Sequence, residues 1–255
     1  MSLCAGVYGW GLARVRRIGP ILPKMNEPVH LAVATTPVPE GRKTPGRETT
    51  RTNDPARTMA GILAVATAEF AEKGLTGARI DEIAAATQTS KRMIYYYFGS
   101  KEGLYLAVLE EQYRLMRAIE SDLHLEDLAP EQALRRLVEF TFDHHMSNEQ
   151  YIRLVMSENM QRGQYLGQSK IIQELNVPAI EAIRKLYDRG VTQGVFRPGL
   201  DPLDIHASIS ALTFFNVSNR HSFGLIFKTD TAATAALVAR RSNIVDMVVR
   251  FVRAD

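Results

Sequence analysis

Residues 70–109 read FAEKGLTGARIDEIAAATQTSKRMIYYYFGSKEGLYLAVL, and the fold turns on the short basic, tyrosine-rich run inside this stretch. Ser90 stands directly before Lys91 as a natural N-cap, because its hydroxyl oxygen can accept from a free backbone N–H of the first turn. Ile94 and Phe98, four residues apart, define one inward face of the helix that follows. At about 100° per residue, Arg92, Met93 and Tyr96 fall on the opposite side, with Lys91 at the open N-terminus and Tyr95 and Tyr97 on the flanks. Such a surface suits a phosphate-lined groove, where rings pack against sugar and methyl groups while hydroxyls and cations hydrogen-bond. A tyrosine-rich core helix would explain neither the basic start nor the short helix in front of it.

That preceding helix runs from about Ile80 to Thr87 around Ile83, Ala84 and Ala86, small enough to let a neighbour approach closely. Before it, Asp54 caps a first helix that has Pro55 at its first position, where a missing N–H is harmless. Ile62, Leu63, Ala66 and Phe70 recur along it at helical spacing, and Lys73-Gly74 supplies a basic last turn and a left-handed stop. Two short helices and a turn after a longer one make a helix-turn-helix arrangement.

The stretch resembles the DNA-binding domain of TetR-family transcriptional regulators. The residues that carry the resemblance are F-x-x-x-G at Phe70–Gly74, D-E-I-A from Asp81, I-Y-Y-Y-F from Ile94 and S-K-E-x-L-Y from Ser100. Two positions depart from the family pattern. Arg79 stands where a Ser or Thr often caps the second helix, and Gln88 stands where the turn often has Gly, so Gln88 must adopt a costlier backbone conformation or shift the turn. The resemblance implies an all-α protein, with an N-terminal three-helix helix-turn-helix domain and a C-terminal helical domain for ligand binding and dimerisation. It also implies that Lys91, Arg92, Met93, Tyr96 and Tyr97 face the major groove of double-stranded operator DNA, with Tyr95 and Lys101 among the phosphate contacts. Rich in Pro, Thr, Gly and Arg without a lasting period, residues 1–53 read as a disordered basic tail, and the resemblance makes 54–101 the DNA-binding domain and 102–255 the ligand and dimer domain.

Downstream the pattern stays helical. Ser100 caps a fourth helix carrying Leu104, Val108, Leu115 and Ile119, which the resemblance makes the link between domains. Pro130 opens a fifth with Leu134, Leu137, Val138 and Thr141 on one stripe, and Ser147-x-x-Gln150 reads as a capping box for a sixth. The sixth carries Ile152, Val155, Met156 and then Asn159, a polar amide at an apolar position, either satisfied within the core or in contact with a ligand. Pro178 interrupts a seventh segment at about Ser169–Gly194, and the kink either curves the helix round a core or opens a cavity.

After the turn GVFRPGLDP, Asp201 and Pro202 start an eighth helix, apolar nearly all round and expected to bury two faces. A final helix beginning near Thr231 carries Leu237, Ile244, Val248 and Phe251, with Val245, Val249 and Val252 widening its stripe. This surplus apolar surface calls for a second copy, and the resemblance implies a homodimer joined by a four-helix bundle of these two helices. RLVMSEN at 153–159 and GVFRPGLDPLDI at 194–205 are similar to the branch of the family that includes pyrimidine-catabolism regulators. That likeness implies a small planar or aromatic effector of unknown identity. Met156, Asn159, Tyr165, Asn176, Tyr187 and Phe214 are the candidate ligand contacts.

Composition narrows the remaining classes. The 255-residue chain is 45% hydrophobic and 23% charged with a formal charge of +3, an ordinary globular profile. No run approaches the roughly 18 apolar residues of a membrane span, and the single Cys4 can make neither an internal disulfide nor a thiolate zinc cluster, so the cytoplasm is the default location. In the opening segment Arg14, Arg16 and Arg17 follow the apolar stretch instead of preceding it, the reverse of a signal peptide, and Met25 is a plausible start. Up to Arg57, Arg14, Arg16, Arg17, Lys24, Arg42, Lys43, Arg47, Arg51 and Arg57 oppose Glu27, Glu40, Glu48 and Asp54, a net +5 that leaves the body at −2. The tail reads as a solvated segment or as an arm that touches phosphates.

Asp143, His144 and His145 are consecutive on a helix, about 100° apart, and cannot close on one metal. No phosphate-binding or nucleophile-elbow motif is present, so no metal, cofactor or catalytic residue is expected. The leading function is a repressor released from an inverted-repeat operator by a small molecule. A regulator controlled by a protein partner and an all-helical enzyme are the alternatives.

Overall fold

The computed structural model describes residues 54–254, so the basic tail, Cys4 and the Met25 start lie outside the described residues. Among those described, the chain is all-α, with a single isolated bridge pairing Phe196 to Arg253. In order the helices are α1 (Pro55–Gly77), α2 (Ile80–Ala86), α3 (Lys91–Phe98), α4 (Lys101–Ser121), α5 (Pro130–Ser147), α6 (Glu149–Met160), α7 (Lys170–Thr192), α8 (Pro202–Ser218), α9 (Arg220–Phe227) and α10 (Thr234–Val252). Two single 3-10 turns, Leu125–Asp127 and Leu166–Gln168, follow α4 and α6.

The N-terminal helices form where their caps are. Asp54 accepts from Ala56 and Arg57 N–H, Ser90 from Met93 N–H and Ser100 from Gly103 N–H, each satisfying a first-turn donor that has no partner within its helix. Gly74, at φ 66°, breaks the regular path of α1 as its left-handed freedom allows. Arg79 makes no side-chain cap for α2; the Glu69 carboxylate of α1 instead accepts from its backbone N–H at 3.0 Å. At the end of α2 the Thr89 N–H donates to Ala84 O at 3.0 Å and the Gln88 N–H to Ala85 O at 3.2 Å, the paired bonds of a Schellman motif. Gln88 takes the left-handed position that this motif requires, with φ 53°. The turn is therefore built at its ordinary place with a residue that strains in it.

Ile62, Phe70, Ile83, Ile94 and Leu104 bury fully against one another, and α3 is held by Ile94 alone among its fully buried side chains. Burial of such side chains is worth about 1.5–3 kcal/mol each. A second core gathers Leu134, Leu137, Val138, Ile183, Ile205, Ile209 and Val248 from α5, α7, α8 and α10. Gly190 of α7 has a specific reason: a Cβ there would lie 1.9 Å from the Phe196 ring, which packs across it.

Three local expectations are corrected. Ser147 closes α5, its hydroxyl donating to Asp143 O at 2.8 Å, so the capping box with Gln150 does not form and Asn148 separates α5 from α6. α7 runs through Pro178 without breaking, with Ile172 buried before the proline and Ala179, Ile183 and Leu186 after it. Within one chain α8 buries the face of Ile205, Ile209, Thr213 and Val217, while Ala207, Ala211 and Phe215 are exposed. Finally, the eight-residue α9 separates α8 from α10, which starts at Thr234; Lys228 in the left-handed region ends α9.

Candidate nucleic-acid interface and internal cavity

α3 presents one face to solvent. The Ile94 side anchors the helix, while Arg92 is exposed and Tyr96 is 77% exposed with its ring edge-on to Tyr97 at 5.4 Å. Tyr95 is also exposed, whereas Met93 and Tyr97 are half-buried, Tyr97 packing against the N-terminal core. Lys91 pairs with Asp81 of α2 at 2.5 Å, and that hydrogen bond holds the Asp81 carboxyl below its ordinary range. Lys101, at the start of α4, donates to Thr76 O at 3.2 Å. Both lysines thus rest on internal acceptors, and the Arg92 and Tyr96 side chains stand at the surface.

The C-terminal domain grips this one through α6. Arg153 donates from Nε to Ala71 O at 2.7 Å and from Nη2 to Glu72 O at 3.1 Å, satisfying carbonyls near the end of α1. Tyr105 of α4 stacks edge-on to Phe70 at 5.1 Å and to Tyr165 at 5.4 Å. Buried Glu158 accepts from the Tyr165 and Leu166 N–H groups, fixing the loop after α6 at that junction.

Beneath this junction lies a partly open cavity of about 550 Å³ lined by α4, α5, α6, α7 and α8. Its walls are aromatic and polar: Tyr113 and Tyr151 meet edge-on at 5.6 Å, and Phe214 stands edge-on to His145 at 5.9 Å. Arg117 and Glu120, paired along α4, line it and also line a second cavity of about 540 Å³ toward Pro178. Burial pushes the His145 imidazole down to about 4, and it lowers His206 as well, so both are neutral near pH 7. The Tyr151 phenol is raised by the same cause. Thr213 Oγ1 lies 2.9 Å from His145 Nδ1 and donates to Ile209 O, which makes Nδ1 the donor and leaves Nε2 as an acceptor.

Of the six ligand candidates, Asn176 and Phe214 line this cavity, and the Asn176 amide donates to Ile172 O at 2.6 Å. The other four lie elsewhere. Asn159 is exposed with its amide donating to Val155 O, and Met156 lines a separate hollow beside Phe70 and Arg153. The Tyr165 ring packs on Tyr105, and Tyr187 is a core residue whose hydroxyl donates to Arg197 O and accepts from Leu200 N–H. Sequence reading missed Arg117, Glu120, His145 and His206. A charged pair at i, i+3 reads as a solvated helix pair, and only the neighbouring helices turn it inward.

Residues 62–108 match the family described as bacterial regulatory proteins, tetR family, and residues 130–248 match the tetracyclin repressor-like C-terminal domain. The chain is 34% identical over 197 residues to the HTH-type transcriptional repressor NicS of Pseudomonas putida, covering 77% of this chain and 93% of that protein. It is 36% identical over 149 residues to the HTH-type transcriptional repressor SCO4008 of Streptomyces coelicolor, covering 58% and 74%. In fold it is similar to a bacterial regulatory protein in the tetR family from Rhodococcus RHA1, with TM-score 0.62 and 22% identity over 78% of this chain and 99% of that one. With both domains matched and a relative aligned over most of its length, the chain belongs to the TetR family of transcriptional regulators.

Proposed function

We propose that this protein is a ligand-responsive transcriptional repressor that acts in the cytoplasm as a homodimer on an inverted-repeat operator and is released by a small molecule held in the 550 Å³ cavity. The chain is a DNA-binding regulator and not an enzyme, as its family is. The sense of regulation is supported by NicS and SCO4008, both named repressors. One observation carries the DNA reading: α3 is locked by Ile94 on one side and exposes Arg92 and Tyr96 on the other. Lys91, Arg92, Met93, Tyr96 and Tyr97 read the major groove, and Tyr95 and Lys101 hold phosphates. Residues 54–101 are the reading head and 102–255 the ligand and dimer domain.

Homodimerisation is supported by apolar side chains left uncovered on α8 and α10: Leu203, Phe215, Val238, Met247 and Phe251. A two-fold partner places two α3 helices in successive major grooves, which is what makes an inverted repeat readable. Release requires the ligand to favour the conformation that cannot bind DNA, since equal affinity for both states shifts nothing. Selection from a randomised duplex library tests the reading. Enrichment of an inverted repeat, with half-sites about one helical turn apart, is expected. Enrichment of no sequence, or of a single half-site, refutes it.

A further inference from the structure

Among the described residues three buried side-chain polar atoms lack a partner, on Tyr105, Arg117 and Glu158, and of these residues Arg117 lines the cavity. The Arg117 side chain is 11% exposed, its Nη1 donates to Glu120, and its Nε is buried with no partner among the described residues. A guanidinium has five N–H donors in a rigid fork, and a buried donor without an acceptor is rarely tolerated unless a ligand, ion or water completes it. The unpaired Nε belongs to a residue that lines the cavity, among aromatic and polar side chains.

We propose that the cavity takes a small aromatic monocarboxylate, its carboxylate accepting from Arg117 and its ring lying among Tyr113, Tyr151 and Phe214; this rests on reading the cavity as the effector site. The charge of the ligand follows from the charges of the walls. Among the described residues, Arg117 and Glu120 are the only charged side chains lining the cavity, and both imidazoles there are neutral. The Arg117 charge reaches His145 and His206 and disfavours a proton on each. Burial pushes the Glu120 carboxyl up, while the charge and hydrogen bond of Arg117 oppose that shift.

Planarity follows from the rings. Tyr151 stacks on His145 at 6.2 Å with 24° between planes, while Tyr113 and Phe214 meet that stack edge-on. Flat walls around one cation favour a flat ring bearing one carboxylate. The volume lies within the 300–1,000 Å³ or so typical of small-molecule sites.

The test titrates the full chain with benzoate and its neutral isostere benzamide by calorimetry. Benzoate is expected to bind about tenfold or more tighter, the difference of a charge-assisted over a neutral hydrogen bond. Arg117→Met with Glu120→Leu removes both charges and leaves no buried ion unpaired, so the variant should fold, as thermal unfolding checks. It should lose the preference for benzoate, whereas Glu120→Gln should keep it. Equal binding of the two probes to the wild type, no benzoate binding at millimolar concentration, or a preference that survives in the double variant overturns the proposal.

Operator release is read separately with labelled DNA. Benzoate that binds through Arg117 without releasing DNA supports this inference and refutes the induction reading. A neutral compound that releases DNA while benzoate does not bind does the reverse.

Discussion

Replacing Gln88 by glycine should stabilise the reading head, an unusual outcome for a change inside a DNA-binding motif. Gln88 sits at φ 53° with its backbone N–H bonded to Ala85 O, and the next N–H to Ala84 O, so the turn cannot relax without losing both bonds. Left-handed backbone costs a non-glycine residue about 1–2 kcal/mol. Glycine removes that strain but adds about 0.4–1 kcal/mol of chain entropy to the unfolded state. The net gain is about 0.5–1 kcal/mol, a rise in Tm of about 2 °C for a chain of this size. Because the Gln88 side chain is exposed, little else changes. Differential scanning calorimetry of wild type, Gln88→Gly and Gln88→Ala checks it: alanine keeps the strain and should leave Tm where it was. If glycine lowers Tm, or alanine raises it equally, the strain argument is wrong.

Arg92→Ala should cost about 1 to 3 kcal/mol of discrimination between operator and unrelated DNA, while Lys101→Ala should weaken binding to all sequences and flatten the salt dependence; fluorescence anisotropy across ionic strength separates them, and unchanged affinity in both rejects the interface. Phe215→Glu with Val238→Glu, both on the uncovered face, should give a folded monomer by light scattering that binds no inverted repeat, and an unaltered dimer would reject that face. Ile244, by contrast, is fully buried within one chain and does not serve for such a test.

His145 makes stability depend on pH. Its folded value of about 4 lies below the ordinary 6.5, so the unfolded chain binds the extra proton between them and stability falls as pH drops through that window. About 2 kcal/mol should be lost by pH 5, and urea unfolding should show a shallower pH slope in His145→Gln; equal slopes would contradict it.

The helix-turn-helix was legible because its signals are local. Caps at Asp54, Ser90 and Ser100, the glycine stop at Gly74 and the i, i+4 pair of Ile94 and Phe98 each act within one or two turns, and the helices form where they point. The exposed face of α3 was legible for the same reason: once Ile94 is inside, helical geometry alone turns Arg92 and Tyr96 outward. α9 was missed because RHSFGLIF is too short to establish a period and leaves its apolar side chains uncovered.

The cavity was not legible, since it is a space between helices far apart in sequence. Whether Asn159 or Arg117 faces that space depends on the rotation of α6 and α4 about their axes, which is set by their packing partners and not by their own residues. Tyr187 shows the same limit, an aromatic at a plausible ligand position whose hydroxyl is already committed to the Arg197 and Leu200 backbone. Sequence by itself determined the family, through its motifs, and the all-α class and the exposed face of α3, because short-range caps and helical periodicity specify them. Only the tertiary structure decided which polar side chains are turned inward together, because burial of Arg117, Glu120, His145 and His206 around one cavity is a property of five packed helices and of none alone.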